Sequence, residues 1–424
     1  MKVTIQNGTL SGEITAAPSK SAMQRACALA LLANGKSIIR NAGYSNDDKA
    51  ALGVIQSLGA RLRSTGENEI EINSNGIQNA GNNIDCGESG LGIRMFTPLA
   101  ALSEKKIRIT GSGSLLSRPM DFFDEILPQL SISVQSNNGK LPIEIQGPLK
   151  PVDITVDGSL SSQFLTGLVF AYAAAKKKNC TIKVNNLKSR PYIDLSLQML
   201  SLAGIDVENE NYEYFHFKES RNEIQPFDYT VEGDWSGAAF LLVGGAISGN
   251  IIVKSLNLQS AQADKAILQT LEKAGADMRF SDKGIEIKTS ELKAFNTDAT
   301  DCPDLFPPLA ALAVYCKGVS KIKGVSRLEH KESHRGLTIQ EELGKLGIDV
   351  KLQGDDMIIE GGKPVQQAVL SSHNDHRIAM MAAIIALGGK GNISIENAEA
   401  INKSYPAFYD HLRNLGVVVS IDQQ

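Results

Sequence analysis

The sequence predicts an α/β protein of two lobes, each an inside-out α/β barrel made of three repeated βαβαββ-type units. The 424-residue chain is too long for one ordinary core, and it repeats itself about six times with a period of roughly seventy residues. Within each repeat, a helix of small and apolar residues alternates with β-branched runs and with a second, amphipathic helix. Two lobes of three repeats therefore account for the whole chain.

A short phrase closes the second helix of each repeat. It reads QSLGARL from Gln56, SLAGIDV from Ser201, EKAGADM from Glu272, GKLGIDV from Gly344 and RNLGVVV from Arg413, whereas PQLSISV from Pro128 has lost the glycine. The polar segments that open the repeats differ from one another: PSKSAMQR, CGESGLGIR, GSLSSQF, GDWSGAAF, CPDLF and HNDHRIAM. A repeated scaffold with different polar groups at equivalent helix starts predicts one site built from many parts.

The two helices of a repeat have different patterns. Residues 21–33 and 378–387 are apolar on most faces, which predicts helices packed on every side. Residues 261–274 and 338–346 are amphipathic and should cover the outside. Between them lie β-branched runs such as SIIRNA, IRITGS and IIVKSL, so the buried helices should be surrounded by sheets.

The lobe boundary is predicted to be discontinuous. A strand-like segment, residues 1–14, precedes the first repeat and should complete the second lobe, which then comprises residues 1–18 and 228–424. The first lobe is residues 19–227. Because the chain then crosses between lobes twice, near 16–19 and 225–233, we expect a hinge and a cleft that closes on a ligand.

Composition excludes several classes of protein. A net charge of −4 and a pI near 6.0 argue against a nucleic-acid binder. The five cysteines are scattered without a C-x-x-C pair and there are only six histidines, so we expect no metal site and reduced thiols in a cytoplasmic protein. The N-terminus lacks the apolar core of a signal peptide, and the longest apolar stretches are too short to span a membrane.

Candidate ligands in the first lobe lie at helix starts and polar turns. Lys20, Ser21 and Arg25 open the first buried helix, whose N-terminal N–H groups favour an anion. Ordinary capping remains the alternative for this segment and for Ser161, Ser162 and Gln163. Arg118 in SRPMDFF and Arg190 in SRPYID occupy polar turns, where a proline just inside a helix start is a common structural device.

The second lobe carries the denser group of charges. The segment HKESHRG contains Lys331, Glu332, His334 and Arg335, NDHRIAM places His376 and Arg377 at the mouth of an apolar helix, Asp304 is a lone carboxylate in CPDLF, and Lys403 lies in INKSYPAF. Buried cations are costly unless they are paired or bound to an anion. A solvated surface is the alternative, but Lys20, Arg25, Arg118, Lys331, Arg335, Arg377 and Lys403 together suit a ligand with several negative charges.

Several of these segments in order, PSKSAMQRA, GSLSSQFLTGL, SRPYID, HKESHR and NDHRIAM, resemble the signatures of the EPSP synthase (3-phosphoshikimate 1-carboxyvinyltransferase) family. The resemblance covers essentially the whole chain. It implies two lobes of three units with parallel buried helices whose N-termini face the cleft. It also implies transfer of the enolpyruvyl group of phosphoenolpyruvate to the 5-hydroxyl of shikimate 3-phosphate, through a tetrahedral intermediate and with release of phosphate, by a cytoplasmic enzyme without a cofactor or metal. We expect a monomer.

The resemblance also implies roles for individual residues, with the first lobe binding mainly shikimate 3-phosphate and the second lobe contributing the phosphoenolpyruvate-side residues. Shikimate 3-phosphate would be held by Lys20, Ser21, Arg25, Ser161, Ser162, Gln163, Ser189, Tyr192, Asp304 and Lys331. Phosphoenolpyruvate would be held by Lys20, Gly90, Arg118, Gln163, Arg335, Arg377 and Lys403. Asp304 and Glu332 would be the catalytic carboxylates and Lys20 a candidate proton donor, with the assignment of each to a step left open.

Three positions depart from the family pattern, and two alternative functions stay open. Glu88 replaces an amide, although Gly90 and Arg94 are retained; His334 replaces the usual aspartate, and Gln24 stands where asparagine is common.

The related UDP-N-acetylglucosamine enolpyruvyl transferase usually has a reactive cysteine in one loop. Here that loop reads GSGSLLSRPMD and contains no cysteine. A non-catalytic anion-binding relative would be expected to lose Asp304, Glu332 or several cations, and all are present.

Overall fold

The structure is a computed structural model that describes residues 1–78, 81–175, 179–218 and 223–422. Its α-helices are α1 (Lys20–Leu32), α2 (Asn46–Ser57), α3 (Gly90–Ala100), α4 (Asp121–Ile126), α5 (Ser162–Ala174), α6 (Arg190–Leu202), α7 (Trp235–Ser248), α8 (Ile267–Lys273), α9 (Phe306–Tyr315), α10 (Arg335–Lys345), α11 (His376–Leu387) and α12 (Phe408–Asn414). Short 3-10 turns occupy Gly113–Ser117, Leu127–Leu130, Ala263–Ala266, Pro303–Leu305, Val325–Leu328 and Ala398–Lys403. In the described ranges, no helix has the length and apolar character needed to cross a bilayer.

The strands alternate with these helices. They are β1 (Lys2–Ile5), β2 (Leu10–Thr15), β3 (Asn34–Arg40), β4 (Arg61–Gly66), β5 (Glu69–Asn75), β6 (Asn83–Asp85), β7 (Lys106–Thr110), β8 (Ser133–Gln135), β9 (Ile143–Gln146), β10 (Ile154–Asp157), β11 (Cys180–Asn185), β12 (Glu208–Glu210), β13 (Tyr214–Phe217), β14 (Asp228–Thr230), β15 (Gly249–Lys254), β16 (Asp277–Ser281), β17 (Gly284–Lys288), β18 (Asn296–Asp298), β19 (Gly318–Lys323), β20 (Val350–Gln353), β21 (Asp356–Gly361), β22 (Ala368–Ser371), β23 (Ile393–Glu396) and β24 (Val419–Asp422).

The described strands form six four-stranded sheets with one shared topology. In the sheet β6-β7-β9-β8, β6 runs parallel to β7, while β9 is antiparallel to both β7 and β8. A buried helix, α3, connects the two parallel strands, and a covering helix, α4, leads to the third strand. The sheets β10-β11-β13-β12 and β18-β19-β21-β20 repeat this order, so the βαβαββ unit is the building block.

Three of the sheets borrow a strand from elsewhere in the chain. In the sheet β14-β3-β5-β4, the strand parallel to β3 is β14, with Asp228 opposite Ile38. The N-terminal segment supplies two strands rather than the single strand expected: β2 lies parallel to β15, and β1 is inserted between β23 and β24. β2 directly precedes α1 and β14 directly precedes α7, but each of these strands pairs with the strand that follows the other helix.

The chain forms two compact units. A continuous unit comprises Pro18–Val231, and a split unit comprises Met1–Ala17 and Glu232–Gln424. These bounds place β14 in the continuous unit, because β14 pairs with β3, whereas the sequence analysis began the second lobe at residue 228. The assignment of one ligand mainly to each unit stays a prediction.

Each unit has a core of buried helices, which confirms the predicted fold class. In the continuous unit α3 contacts both α1 and α5, and in the split unit α7, α9 and α11 contact one another. Every residue of α3 and of α11 is buried, including Arg94 and Arg377. Because most of the residues there are Ala, Gly, Leu, Ile and Met, the helices can pack closely on all sides.

The closing phrase of each repeat corresponds to a left-handed residue just after a helix. The φ angle is positive in all six copies: +114° at Gly59, +64° at Ser131, +81° at Gly204, +84° at Gly275, +75° at Gly347 and +96° at Gly416. Glycine adopts this conformation at little cost, which explains its recurrence. The second repeat keeps the conformation with serine.

We predict opposite effects for alanine at two glycines near the end of α10. A Cβ at either position would meet no atom within 4 Å, but only Gly347 has a positive φ. Gly347→Ala should therefore lower the free energy of unfolding by about 1 kcal/mol through backbone strain. Gly344→Ala, inside the helix, should raise it by up to about 1 kcal/mol. Urea unfolding curves of both variants test this, and a stabilised Gly347→Ala variant would contradict it.

Candidate active site

The densest group of charges in the split unit surrounds Arg335, the first residue of α10. Its side chain is wholly buried, and its Nε and Nη2 donate hydrogen bonds to Asp375 at 2.8 and 3.2 Å. Its Nη1 donates to Asp304 at 2.8 Å, and its Nη2 also donates to Glu332 at 2.6 Å. Burial alone would lower the pKa of Arg335, but these carboxylates outweigh it and raise the pKa. The guanidinium is therefore charged and fully compensated.

Asp304 lies in the 3-10 turn before α9 and joins three cations. Besides the bond from Arg335, its carboxylate accepts hydrogen bonds from Arg377 at 3.0 Å and from Lys331 at 3.5 Å. Burial tends to raise the pKa of Asp304, but Arg377, Lys331 and Arg335 together hold it well below its ordinary value. The sequence interpretation of Asp304 as a lone carboxylate was wrong, because its neighbours include the other carboxylates that bind Arg335.

Asp375 was missed by the sequence analysis. Its carboxylate accepts the backbone N–H of Arg377 at 3.0 Å and so caps α11, and it also accepts from the Ser333 hydroxyl at 3.2 Å. An aspartate just before an apolar helix is a capping signal, and this signal could have located it. The cap has a second use here, since the same carboxylate holds Arg335.

Two further ionisable groups extend this cluster. The Lys403 ammonium, buried at the end of a 3-10 turn, lies 3.8 Å from the nearer oxygen of Glu332. Asp264, also missed from the sequence, is buried and accepts a hydrogen bond from Ser236 in the first turn of α7. Burial and the neighbouring Asp304 raise the pKa of Asp264 to about 6. The first turns of α7, α10 and α11 thus contribute to one network.

In the continuous unit, the cations of α1 turn toward two different helices. The Lys20 ammonium pairs with Asp47 of α2 at 2.8 Å. Arg25 donates to the Ser196 hydroxyl at 2.9 Å and to the Tyr192 carbonyl at 3.1 Å, both on α6, and burial lowers its pKa to about 10. Arg25 Nη1 also donates to the Ser21 carbonyl at 2.8 Å, so its guanidinium lies at the start of α1 and fastens that end of the helix to α6.

The starts of α3 and α5 are joined by a side-chain pair. Arg94 Nη1 donates to the amide oxygen of Gln163 at 2.9 Å. Ser161 caps α5 by accepting the N–H of Gln163 at 3.3 Å, and Ser162 is buried beside it. Ser189 precedes α6 with a left-handed φ of +55°. Capping explains Ser161, so only the other polar groups of this segment exceed what a helix start needs.

A guanidinium lies directly over Gly90 at the start of α3. A Cβ on this glycine would come within 2.4 Å of Arg118 Nη1 and 3.3 Å of Arg94 Nη1. Glycine at this position leaves room for the close approach of Arg118. Arg118 itself follows a 3-10 turn, and α4 begins only at Asp121, so its proline does not start a helix as expected. Arg190 does begin α6, and its side chain is exposed.

The structure explains the departures from the family pattern locally. His334 caps α10 by accepting the Leu337 N–H at 3.4 Å, the role that an aspartate could also fill. Gln24 is buried in α1 and accepts a hydrogen bond from Ser89 at 3.0 Å. The Glu88 carboxylate lies so close to Gly113 that a Cβ there would meet it within 2.6 Å.

A cavity of about 410 Å³ lies at the other end of the buried helices of the continuous unit. Its lining includes Leu32 at the end of α1, Leu102 just after α3 and Ala174 at the end of α5. None of the residues predicted to bind substrate lines it. The cavity is therefore separate from the polar residues of this unit that the sequence predicts to bind substrate.

Comparison with solved structures identifies the fold. The EPSP synthase from Acinetobacter baumannii superposes with a TM-score of 0.83 at 24% identity, covering 99% of this chain and 100% of that chain. The enolpyruvyl transferase NikO from Streptomyces tendae has a TM-score of 0.79 at 16% identity, covering 99% and 98%. The fold is that of the enolpyruvyl transferases.

Sequence comparison then gives the family. The family model for EPSP synthase (3-phosphoshikimate 1-carboxyvinyltransferase) matches residues 5–412. The 3-phosphoshikimate 1-carboxyvinyltransferase of Clostridium novyi (strain NT) is 36% identical over 420 residues, or 97% of this chain and 96% of its own length. That of Clostridium perfringens (strain 13 / Type A) is 35% identical over 421 residues, 99% of each. The chain belongs to the EPSP synthase family and is a transferase of the shikimate pathway, which confirms the resemblance.

We predict that Asp375→Ala destabilises the protein strongly. The substitution removes a helix cap and leaves the buried Arg335 short of a partner, which should cost about 3–5 kcal/mol. Asp410→Ala, which breaks an exposed pair with Arg413, is the control and should leave the urea midpoint close to the parent's. Equal effects of the two substitutions would show that Arg335 does not depend on Asp375.

We predict that Asp48→Asn changes how stability depends on pH. Asp48 is buried next to Ser45, and burial, only partly offset by that hydrogen bond, raises its pKa to about 6. Its favourable contribution is complete below the unfolded pKa of about 4 and is lost as pH rises through 6. Between pH 4 and pH 7 the variant should therefore gain about 2–3 kcal/mol relative to the parent. Parallel urea curves at both pH values measure this, and a constant difference would contradict it.

Proposed function

We propose that the chain transfers the enolpyruvyl group of phosphoenolpyruvate to the 5-hydroxyl of shikimate 3-phosphate and releases phosphate. The observation that carries the proposal is a group of buried or half-buried cations in each unit. In the continuous unit these are Lys20, half-buried at the start of α1, with the buried Arg94 and Arg118. In the split unit they are Arg335 and Arg377 at helix starts and Lys403 at the end of a 3-10 turn. Both substrates carry several negative charges, and helix N-termini add to the attraction.

We assign phosphoenolpyruvate to Lys20, Gly90, Arg118, Gln163, Arg377 and Lys403, with Arg335 in a different role from the one expected. The donors of Arg335 are committed to Asp375, Asp304 and Glu332, so we propose that it mainly orients these carboxylates and contacts ligand only by exchanging a partner. Arg377 Nη2 donates a hydrogen bond to one oxygen of Asp304 at 3.0 Å. A guanidinium in that position can bind a phosphate or carboxylate through its remaining donors.

We assign shikimate 3-phosphate to Ser21, Arg25, Ser161, Ser162, Gln163, Ser189, Tyr192 and Lys331, together with Lys20 and Asp304. Hydroxyl and amide groups at the first turns of α5 and α6 suit a ligand with hydroxyl groups and a phosphate. Arg25 stabilises this arrangement, because its hydrogen bonds to the Ser196 hydroxyl and to the Tyr192 carbonyl fix the start of α6.

The proposed chemistry is addition followed by elimination. The 5-hydroxyl loses its proton to a carboxylate as its oxygen bonds to C2 of phosphoenolpyruvate, and a proton adds to C3, which gives a tetrahedral ketal. The C2–O bond to phosphate then breaks, a proton leaves C3, and the enolpyruvyl ether and phosphate remain. Asp304 and Glu332 are the proposed groups that accept or return these protons, and Lys20 is a candidate donor. The surrounding cations stabilise the charge that builds up on the departing phosphate.

The contacts of Asp304 bear on its use as a base. Arg377, Lys331 and Arg335 lower its pKa, so the carboxylate is ionised but weakly basic. A substrate phosphate or carboxylate that draws Arg377 or Lys331 toward itself would reduce their hold on Asp304 and raise its basicity. We propose that binding of the substrates thereby prepares the base.

The thiols argue against a cysteine-dependent relative of the same fold. All five cysteines are buried and free of disulfides. Burial raises the pKa of Cys86 and of Cys302, the cysteines nearest in sequence to Glu88 and Asp304. Neither is a ready thiolate at neutral pH. This supports shikimate 3-phosphate over UDP-N-acetylglucosamine as the acceptor.

Further parts of the proposal concern the state of the protein. Free thiols support a cytoplasmic location, since disulfides are rare there. A monomeric state, closure of the two units on the substrates and catalysis without cofactor or metal stay predictions. Size-exclusion chromatography tests the monomeric state, and an assay in the presence of a chelator tests catalysis without a metal.

We predict that Arg118→Ala and Arg377→Ala each lower kcat/KM for phosphoenolpyruvate at least tenfold. Each removes a buried cation, and one charge-assisted hydrogen bond contributes about 1.5–3 kcal/mol, where about 1.4 kcal/mol is a tenfold effect. The assay is phosphate release with shikimate 3-phosphate, and UDP-N-acetylglucosamine serves as the alternative acceptor. Arg279→Ala, at a largely exposed arginine, is the matched control and should retain the parental kinetics.

Different results of this assay separate the alternatives. Near-parental kinetics in either variant would overturn the site assignment. Release with UDP-N-acetylglucosamine alone would favour the sugar-nucleotide transferase. No release with either acceptor would favour a binding protein without catalytic activity.

A further inference from the structure

Glu342, in α10, is a buried carboxylate that the proposed chemistry does not use. It is wholly buried, and its Oε2 accepts the backbone N–H of Ser371 at 2.9 Å. Its Oε1 lies 2.6 Å from the His373 Nε2 and 2.7 Å from the Lys345 ammonium. A buried carboxylate is costly unless its oxygens are paired. Both oxygens are used here, and two of the three bonds go to one short segment, residues 371–373.

That segment belongs to the turn 371–375, which connects β22 to α11 in an unfavourable conformation. His373 and Asn374 have φ angles of +51° and +56°, and neither is glycine. Two consecutive left-handed residues of this kind cost about 1–2 kcal/mol each, so outside contacts must hold them. Within the turn, the His373 N–H donates to the Ser371 hydroxyl and the Asn374 N–H to the Ser372 hydroxyl, both at 3.1 Å.

The turn leads directly into the candidate active site. The Asp375 N–H donates to the Ser372 carbonyl at 2.8 Å, and the Asp375 side chain caps α11 through the N–H of Arg377. The direction in which Arg377 leaves the helix therefore depends on how this turn is held. Arg377 in turn reaches Asp304 at 3.0 Å.

Helix α10 grips the turn at two points. Arg335 binds Asp375 at the end of the turn, and Glu342 binds Ser371 and His373 at its beginning. Glu342 is seven positions after Arg335, about two helical turns, so both lie on one face of α10, and both are buried. One rigid helix thus fixes both ends of a five-residue connection.

We propose that Glu342 is a positioning residue for phosphoenolpyruvate binding, acting through the turn 371–375 on Arg377. The proposal rests on the proposed function in one respect, that Arg377 contacts phosphoenolpyruvate. Glu342 contacts no reacting atom. Its carboxylate keeps the turn in the conformation that aims Arg377, and Lys345 compensates its charge from the outer side of the helix.

The test uses three variants of this contact and a neighbouring control. Glu342→Ala removes both oxygens, Glu342→Gln keeps an oxygen for the Ser371 N–H but loses the charge, and His373→Ala removes only the ring. Glu341→Ala removes an exposed carboxylate next in sequence that has no bond to the Ser371 backbone. Melting temperature, kcat and the KM for each substrate are measured by phosphate release, with Arg377→Ala in parallel.

A positioning role predicts a separation between the two substrates. Glu342→Ala should raise the KM for phosphoenolpyruvate at least about tenfold, while the KM for shikimate 3-phosphate changes less than about twofold. Glu342→Gln and His373→Ala should raise the KM for phosphoenolpyruvate less, and Glu341→Ala should match the parent. Glu342→Gln keeps the test valid if Glu342→Ala does not fold.

Two results would overturn the inference. One is parental KM for phosphoenolpyruvate in folded Glu342→Gln and His373→Ala while Arg377→Ala raises it. The other is a loss of kcat and melting temperature with both KM values unchanged, which would indicate a merely structural carboxylate. Failure of the proposed function is distinguishable, because then the parent itself releases no phosphate or Arg377→Ala leaves the KM unchanged.

Discussion

The arrangement of charged residues in the split unit depends on one buried guanidinium, that of Arg335. Arg335 has no exposed side-chain surface, and a guanidinium in that position is tolerated only because Asp304, Glu332 and Asp375 surround it. Those carboxylates in turn arrange the cations Arg377, Lys331 and Lys403 around themselves. The candidate active site of this unit is thus a network of alternating charges in which each carboxylate already has a cationic partner. A substrate anion that draws Arg377 or Lys331 toward itself weakens their hold on Asp304, so binding and the movement of protons are linked.

Much of the fold could be predicted from the sequence, because its strongest signals are local. Apolar helices such as α7 and α11 are recognisable from composition, and the glycine that ends each second helix is recognisable from its left-handed backbone. The exchange of strands was harder to predict. Nothing in the pattern of β14 shows that it pairs with β3, about 190 residues earlier, because strand pairing depends on contacts that periodicity does not encode.

The candidate site shows the same limit. Motifs such as HKESHRG and NDHRIAM indicated where the cations lie, but their partners were not evident. Asp375 is 40 residues from Arg335 and has the appearance of an ordinary helix cap. Asp47 adjoins a second aspartate, and Asp264 is a single acidic residue in SAQADKAIL. Glu342 reads as one of two consecutive glutamates on an amphipathic helix. Only the packing of α10 distinguishes it from its exposed neighbour Glu341.

The placement of β1 between β23 and β24 has a consequence for synthesis on the ribosome. β1 is made before its partners, which follow about 390 and 420 residues later in the chain. At about 5–20 residues per second, β1 waits on the order of 20–80 seconds for its neighbours. The continuous unit, by contrast, is complete once Val231 has emerged. Synthesis from the N-terminus therefore allows the continuous unit to fold before the two segments of the split unit can pair.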